Sequence, residues 1–199
     1  MTRVARRSRS TKETTVNVEV CLDGTGRTDV ATGLPFFDHM LSQLGRHGGI
    51  DLAVSASGDL DVDAHHTVED VGIALGECVR EALGDKAGVR RFASIDLPLD
   101  EALVSVALDL SGRPYLHYDV DPGGGAEAYP LGSPPFDPQL AEEFWRALVT
   151  SAGVTLHVRM ISGRNTHHIL EASFKAVARA LRDAVRVEGK GVPSTKGTL

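Results

Sequence analysis

The chain has 199 residues, of which 42% are hydrophobic and 24% charged, and it carries a formal net charge of -6. This length can bury a hydrophobic core as one large domain or two small ones, and the acidic balance argues against a general nucleic-acid binder. The sequence contains no run of about 18 apolar residues, the length needed to cross a membrane. We therefore expect a globular protein of the cytoplasm without a membrane partner.

The basic N-terminus and the cysteines carry little further information. Residues 1–11 include four arginines and no apolar segment, so we expect a disordered basic leader rather than a secretory signal. Cys21 and Cys78 lack CxxC spacing, and we expect both to be reduced, buried and structural.

The first half of the chain predicts a short series of elements. Alternating valines at 16–20 predict a half-buried strand, and DGTGR at 23–27 predicts a hairpin turn. PFFDHMLSQLGRHG at 35–48 predicts a helix that ends at glycine. A strand, IDLAVSAS, follows, and apolar residues at helical spacing predict a second helix from position 65.

The second half repeats this order of elements. It contains the strand ALVSVALDL, the turn SGRP, a helical segment at 138–153, the strand VTLHVRMI and a last helix. Glu13 and Glu101 each stand three residues before the first valine of corresponding strands. We interpret the chain as an internal duplication, with a first repeat at 12–98, a second at 99–190 and a tail at 191–199. The expected fold class is α+β, with helices packed between two sheets. The Gly- and Pro-rich stretch 121–139 is expected to be a mobile loop.

Each repeat contains the motif His-His-x-x-Glu at the start of its last helix, at 65–69 and at 167–171. The first His and the Glu are four residues apart and share one helix face, whereas the second His is turned by about 100°. Adjacent histidines at a helix start are usually capping or solvent-facing groups, but two copies on a repeated scaffold favour metal binding. Imidazole and carboxylate ligands suit Mn, Fe, Co, Ni or Zn. We expect two metal sites, each taking His and Glu from one copy and the turned His from another.

Further ligands and an anion-binding set can be assigned to single residues. His39 is the obvious additional ligand for the first copy, Glu143 occupies the corresponding place in the second, and His157 is a competing choice there. A phosphate bound near the ions would need several cations and hydroxyl donors. The candidates are Arg91, Arg113, Lys175, Ser194, Thr195 and Lys196.

Several segments together resemble the imidazoleglycerol-phosphate dehydratase family: FFDHMLSQLGRHG, DAHHTVEDVGIALGE, LDEAL, DLSGRPY, GRNTHHILEASFKAVARALR and PSTKGTL. The resemblance runs from residue 12 to 199. It implies two repeats with four-stranded sheets and two helices each, a fold like domain 2 of ribosomal protein S5. It also implies a 24-subunit homo-oligomer with active sites between subunits and two Mn2+ per active site. The implied metal ligands are His39, His65, His66, Glu69, Glu143, His167, His168 and Glu171; the better-known family pattern has His at position 143.

The resemblance further implies a reaction and roles for the remaining residues. The reaction is the dehydration of D-erythro-imidazoleglycerol phosphate to imidazole acetol phosphate in histidine biosynthesis. Glu171 is favoured for proton transfer and Glu13 for positioning substrate, with Glu69 and His47 as further acid–base candidates. Arg91, Arg113, Lys175, Ser194 and Lys196 would bind the phosphate, and the tail would close over the bound substrate.

Two other functions use the same residues. Paired metals with nearby cations would also suit a hydrolase of a phosphorylated small molecule. A non-catalytic metal-binding shell, in which the duplicated motif serves assembly, is the third hypothesis.

Overall fold

The computed structural model describes residues 2–199 as two repeats with one order of elements. The first repeat consists of β1 (Val4–Ser10), β2 (Thr14–Cys21), β3 (Thr28–Ala31), α1 (Pro35–Gly48), β4 (Asp51–Gly58) and α2 (His65–Leu83). The second consists of β5 (Phe92–Leu99), β6 (Ala102–Asp109), β7 (Tyr115–Asp119), α3 (Leu140–Ala152), β8 (Thr155–Ser162) and α4 (Thr166–Ala184).

Each repeat forms one four-stranded sheet of the same topology. The strand orders are β1-β2-β4-β3 and β5-β6-β8-β7, and only the last pair of each sheet is parallel. Successive side chains of a strand point to opposite faces, so the alternating valines Val16, Val18 and Val20 all reach the buried face of β2.

The four helices lie between the two sheets, as the sequence predicts. Helix α2 covers the first sheet and α4 the second, while α2 packs on α3 and α1 on α4. Glycines allow the close approach of α2 and α3: a Cβ at Gly76 would lie 2.5 Å from the carbonyl oxygen of Leu148. The predicted fold class is therefore confirmed, with one continuous core through both repeats.

The prediction of a disordered leader is wrong for the described part of residues 1–11, outside which only Met1 lies. Residues Val4–Ser10 form β1, which pairs with β2 along its whole length. Arg9 donates to the buried carboxylate of Asp70 at 2.7 Å, and Arg7 pairs with Glu81 of α2. The charges that suggested a solvated segment are thus paired with acidic residues that lie far along the chain.

One boundary and one turn also differ from the prediction. Phe92–Leu99 pairs with β6 in the second sheet, so the second repeat begins at β5 rather than at residue 99. DGTGR does not close a hairpin, because β3 lies parallel to β4 at the sheet edge instead of beside β2. The two hairpins are β1–β2 and β5–β6. A local strand pattern predicts a strand but does not specify its neighbour.

The cysteines and the helices test two smaller expectations. Cys78 is buried, whereas Cys21 is half-buried at the end of β2, so the expectation of burial holds only for Cys78. Neither forms a disulfide within residues 2–199.

Among the helices of residues 2–199, none combines the length and apolar character needed to span a membrane.

Candidate metal centre

Helices α1 and α4 bring three predicted ligands together at their N-terminal ends. His39 Nε2 lies 3.3 Å and His167 Nε2 2.9 Å from Oε2 of Glu171. The four-residue spacing places His167 and Glu171 on one face of α4, as the sequence predicts. His39 was expected to serve the first copy of the motif, but it lies with the second copy because α1 packs on α4 rather than on α2.

Lys175 fixes the charge state of Glu171. Its ammonium group donates to Oε1 at 2.6 Å, which leaves Oε2 directed at the two histidines. Burial would raise the pKa of Glu171, but the hydrogen bonds from Lys175 and His167 outweigh it and hold the pKa at about 2. Glu171 is therefore an ionised carboxylate at neutral pH, although its side chain is only 12% exposed.

The second histidine of each motif points away from the first. The ring planes of His167 and His168 differ by 83°, and those of His65 and His66 by 86°. Capping does not explain these pairs, because Asn165 accepts the His168 amide and Asp63 accepts the His65 amide. The division by helix face expected from the sequence is thus present in both copies.

Carboxylates hold both turned histidines through Nδ1. Oε2 of Glu101 lies 2.8 Å from Nδ1 of His168, and Oδ2 of Asp59 lies 3.0 Å from Nδ1 of His66. The hydrogen bond to Asp59 raises the pKa of His66. Glu13 is farther away, with 3.8 Å between its Oε2 and the same nitrogen.

The first-copy ligands have a different environment. His65 and Glu143 line one cleft of about 490 Å3 between α2, α3 and the loop at 130–139. The side chain of Glu69 is exposed and makes no hydrogen bond or ion pair with any residue from 2 to 199. The residue four positions after Glu69 is Ile73, where the second copy has Lys175. The two copies therefore present their carboxylates differently.

His157 lies on the face of its sheet opposite to the helix layer that carries Glu143. It is exposed on the outer face of β8, where it contacts Tyr115 and His117 of β7. Glu143, by contrast, belongs to the helix layer on the inner side. The alternation of a strand separates the two faces, so this geometry favours Glu143.

His47 lies two turns after His39 on α1. Gln43 connects them, since its Oε1 lies 3.0 Å from His47 Nε2 and its Nε2 lies 3.4 Å from His39 Nδ1. Burial lowers the pKa of His47, and the charges of Lys175 and Arg179 lower it further. The carboxylate of Glu171 acts in the opposite direction and raises the pKa, so His47 lies near the α4 cations and near one of the clustered ligands.

The predicted phosphate ligands divide into two groups within the chain. Lys175 belongs to the ligand cluster, whereas Arg91 donates to Asp109 at 2.7 Å and to the carbonyl of Pro193 in the tail. The other members follow these contacts along the chain: Arg113 directly follows Gly112, which Leu199 approaches, and Ser194, Thr195 and Lys196 follow Pro193 in the tail. The Arg91 amide bonds to Ala184 at the C-terminal end of α4, about 25 Å along the helix from His167.

Several residues that the sequence did not predict also contact predicted ligands, among them Gln43, Asp59 and Glu101. A signal for Glu101 was available, because it occupies the place of Glu13 in the repeat. No comparable signal exists for Asp59, since the residue after β8 at its corresponding position is Gly163.

The cluster of His39, His167 and Glu171 fits a divalent transition-metal ion. Its three ligand atoms lie within 4.8 Å of one another, and two imidazoles with one ionised carboxylate are the ligands that such ions prefer. Three protein ligands leave coordination positions for other groups. Among residues 2–199 this group alone gathers three ligand atoms so closely.

Comparisons with known proteins identify close relatives. The family model described as "Imidazoleglycerol-phosphate dehydratase" matches residues 32–181. The imidazoleglycerol-phosphate dehydratase of Frankia casuarinae is 56% identical over 100% of both chains, and that of Acidothermus cellulolyticus is 57% identical over 99% of this chain and 93% of its own. The crystal structure of the Staphylococcus aureus enzyme has a TM-score of 0.81 at 36% identity and covers 92% of this chain and 99% of its own. A Pyrococcus furiosus structure, in complex with (S)-C348, has a TM-score of 0.81 at 38% identity and covers 97% and 100%.

Proposed function

Because this chain belongs to the imidazoleglycerol-phosphate dehydratase family and is a hydro-lyase of histidine biosynthesis, we propose that it dehydrates D-erythro-imidazoleglycerol phosphate with two Mn2+ ions per active site. The product is imidazole acetol phosphate. The observation that carries the metal assignment is the group of His39, His167 and Glu171.

One ion is held by these three residues together with the turned His66 of a neighbouring subunit. The other is held by His65, Glu69 and Glu143, together with the turned His168 of the neighbour. The placement of His65 and Glu143 on one cleft supports the second set. When bound, the ions supply Lewis acidity that stabilises the charge developing on the substrate.

The chain's own carboxylates and cations perform the remaining steps. Glu171, which lies in the ligand cluster, is the proposed acceptor of the carbon-bound proton. The exposed Glu13 positions the substrate beside the ions, and Glu69 and His47 are the further acid–base candidates. Lys175 also contributes to phosphate binding.

The remaining phosphate ligands come from another subunit of a homo-oligomer, which we propose to be a 24-mer. About 25 Å of helix separates the ligand cluster from Arg91 in one chain, which exceeds the length of a small phosphorylated substrate. A neighbour that supplies Arg91, Arg113, Ser194 and Lys196 removes this separation. The tail would then close over the substrate.

A direct assay tests the proposal. Protein loaded with Mn2+ should convert the substrate to imidazole acetol phosphate, and Glu171→Gln should lower kcat by about 100-fold or more. The matched control is Glu19→Gln, an exposed carboxylate paired with Arg6 on the outer face of the first sheet, which should keep wild-type turnover. Absence of product from metal-loaded wild-type protein would contradict the dehydratase, and release of inorganic phosphate would indicate a hydrolase.

A further inference from the structure

The two turned histidines are held by carboxylates from different places in the repeat. Glu101, in the turn between β5 and β6, contacts His168, whereas His66 is held by Asp59, which directly follows β4. The residue that directly follows β8 is Gly163, which has no side chain to offer. The duplicated sites therefore have the same ring orientation but different supports.

Both contacts determine which ring nitrogen carries the proton. An ionised carboxylate can only accept hydrogen bonds, so a histidine that contacts it through Nδ1 must donate an N–H from that atom. Oε1 of Glu101 accepts the backbone amides of Asn165 and Arg164, which leaves Oε2 to accept from Nδ1 of His168. A neutral imidazole protonated at Nδ1 has an unprotonated Nε2, which is the state that binds metal.

We propose that Glu101 and Asp59 are positioning residues that fix His168 and His66 as Nδ1–H tautomers and direct Nε2 outward for metal binding. This inference rests on one part of the proposed function, namely that Nε2 of His66 and Nε2 of His168 each bind a metal ion. It assigns the orienting role in the first copy to Asp59 and not to Glu13, the repeat counterpart of Glu101.

The two supports respond differently to removal of their charge. Oε1 of Glu101 accepts the backbone amides of Asn165 at 2.8 Å and Arg164 at 3.3 Å, so the position of that oxygen is already determined. In Glu101→Gln the amide oxygen stays with these donors, and the NH2 group faces Nδ1 of His168. An NH2 group donates and cannot accept, which forces the proton of His168 onto Nε2.

Asp59 lacks this constraint. Both of its oxygens lie near Nδ1 of His66, at 3.0 and 3.2 Å. In Asp59→Asn the amide can rotate so that its oxygen still accepts from Nδ1, and the tautomer of His66 is retained. Replacing the carboxylate by an amide should therefore change the histidine tautomer in the second copy, at Glu101, but not in the first, at Asp59.

The first measurement is solid-state 15N NMR of metal-free protein labelled at histidine. We expect one histidine of Glu101→Gln to change from the Nδ1–H to the Nε2–H tautomer, with His168→Gln identifying its signal. Asp59→Asn and Glu13→Gln should show no such change, because each leaves an acceptor at Nδ1 of His66. Retention of the Nδ1–H form in Glu101→Gln would overturn the proposal, as would a tautomer change of His66 in Glu13→Gln.

The second measurement is Mn2+ affinity by titration. Glu101→Gln should weaken one class of site by about 10- to 100-fold, with a smaller loss for Asp59→Asn. The control Glu19→Gln should bind as the wild type does. Wild-type affinity in Glu101→Gln would refute the positioning role, whereas a wild-type protein that binds no Mn2+ would refute the proposed metal sites themselves. A tautomer change does not depend on turnover, so the two failures are distinguishable.

Discussion

At the residue scale, the same carboxylate of the duplicated motif has two different surroundings. Glu171 is buried and tied to Lys175, whereas Glu69 is exposed and has Ile73 at the place of that lysine. The pKa of Glu171 lies at about 2 because its hydrogen bonds outweigh the cost of burial. The presence of Lys175 and the burial of Glu171 together give the two motifs different electrostatics.

Replacing Lys175 by Met should lower the stability of metal-free protein at pH 7 by about 1–2 kcal/mol, because a buried charged hydrogen bond is lost. Glu171 has a pKa below its usual value, so in the wild type it stabilises the fold above about pH 4.5 and this contribution disappears as the pH falls to about 2. The variant should show a flatter dependence of stability on pH in that window.

Urea unfolding at pH 3, 5 and 7 measures this effect, with Lys190→Met as the matched control at an exposed lysine. Equal pH dependence of the Lys175 variant and the wild type would show that Lys175 does not set the pKa of Glu171.

At the element scale, β1 shows how a charged segment can be an integral part of a sheet. Its inward-facing Arg9 reaches Asp70, which is 6% exposed on α2 and also bonds the Thr14 hydroxyl. Its outward-facing Arg6 pairs with the exposed Glu19 on the neighbouring strand. Because side chains alternate between the two faces of the strand, Arg9 and Arg6 contribute differently to the stability of the protein.

Arg9→Met should therefore destabilise the protein by about 2–3 kcal/mol, because the buried carboxylate of Asp70 loses its charged partner. Arg6→Met should cost less than about 1 kcal/mol, since an exposed ion pair contributes little. Chemical unfolding at neutral pH compares the two variants, and equal losses would mean that β1 contributes through its backbone pairing alone.

At the scale of the whole molecule, the metal ligands and phosphate ligands that the proposed reaction requires in one site lie far apart within a single chain. The cluster of His39, His167 and Glu171 contains no residue of the first-copy motif, and Arg91 lies near the opposite end of α4. Parallel packing of α1 and α4 brings their N-terminal ends together. It cannot bring the C-terminal end of α4, where Arg91 lies, close to the ligand cluster. Assembly with further copies is the physical solution that we propose.

Complementation between variants tests shared active sites. Glu171→Gln and His65→Ala disable the second-copy and first-copy ligands respectively, and each variant alone should be nearly inactive. If a site combines one set from each of two subunits, random mixed oligomers should regain up to about a quarter of wild-type activity. Native mass spectrometry verifies the mixing, and mixed particles without recovered activity would place both sets within one chain.

The sequence by itself determined the features that follow from local periodicity and from comparison of the two halves. The valines of β2 indicated their buried face, and the spacing in HHILE placed His167 with Glu171 and turned His168 away. Repetition of these patterns indicated two sheets with helices between them. Such features depend on the geometry of a single strand or helix, which the residue spacing expresses directly.

Only the tertiary structure decided which elements meet. Packing of α1 on α4 joined His39 to the second copy, pairing with β2 made a strand of the basic N-terminus, and the β5–β6 turn brought Glu101 to His168. Each is a contact between residues distant in sequence. Its partner is chosen by the burial and pairing of whole elements, which the local pattern of either partner does not specify.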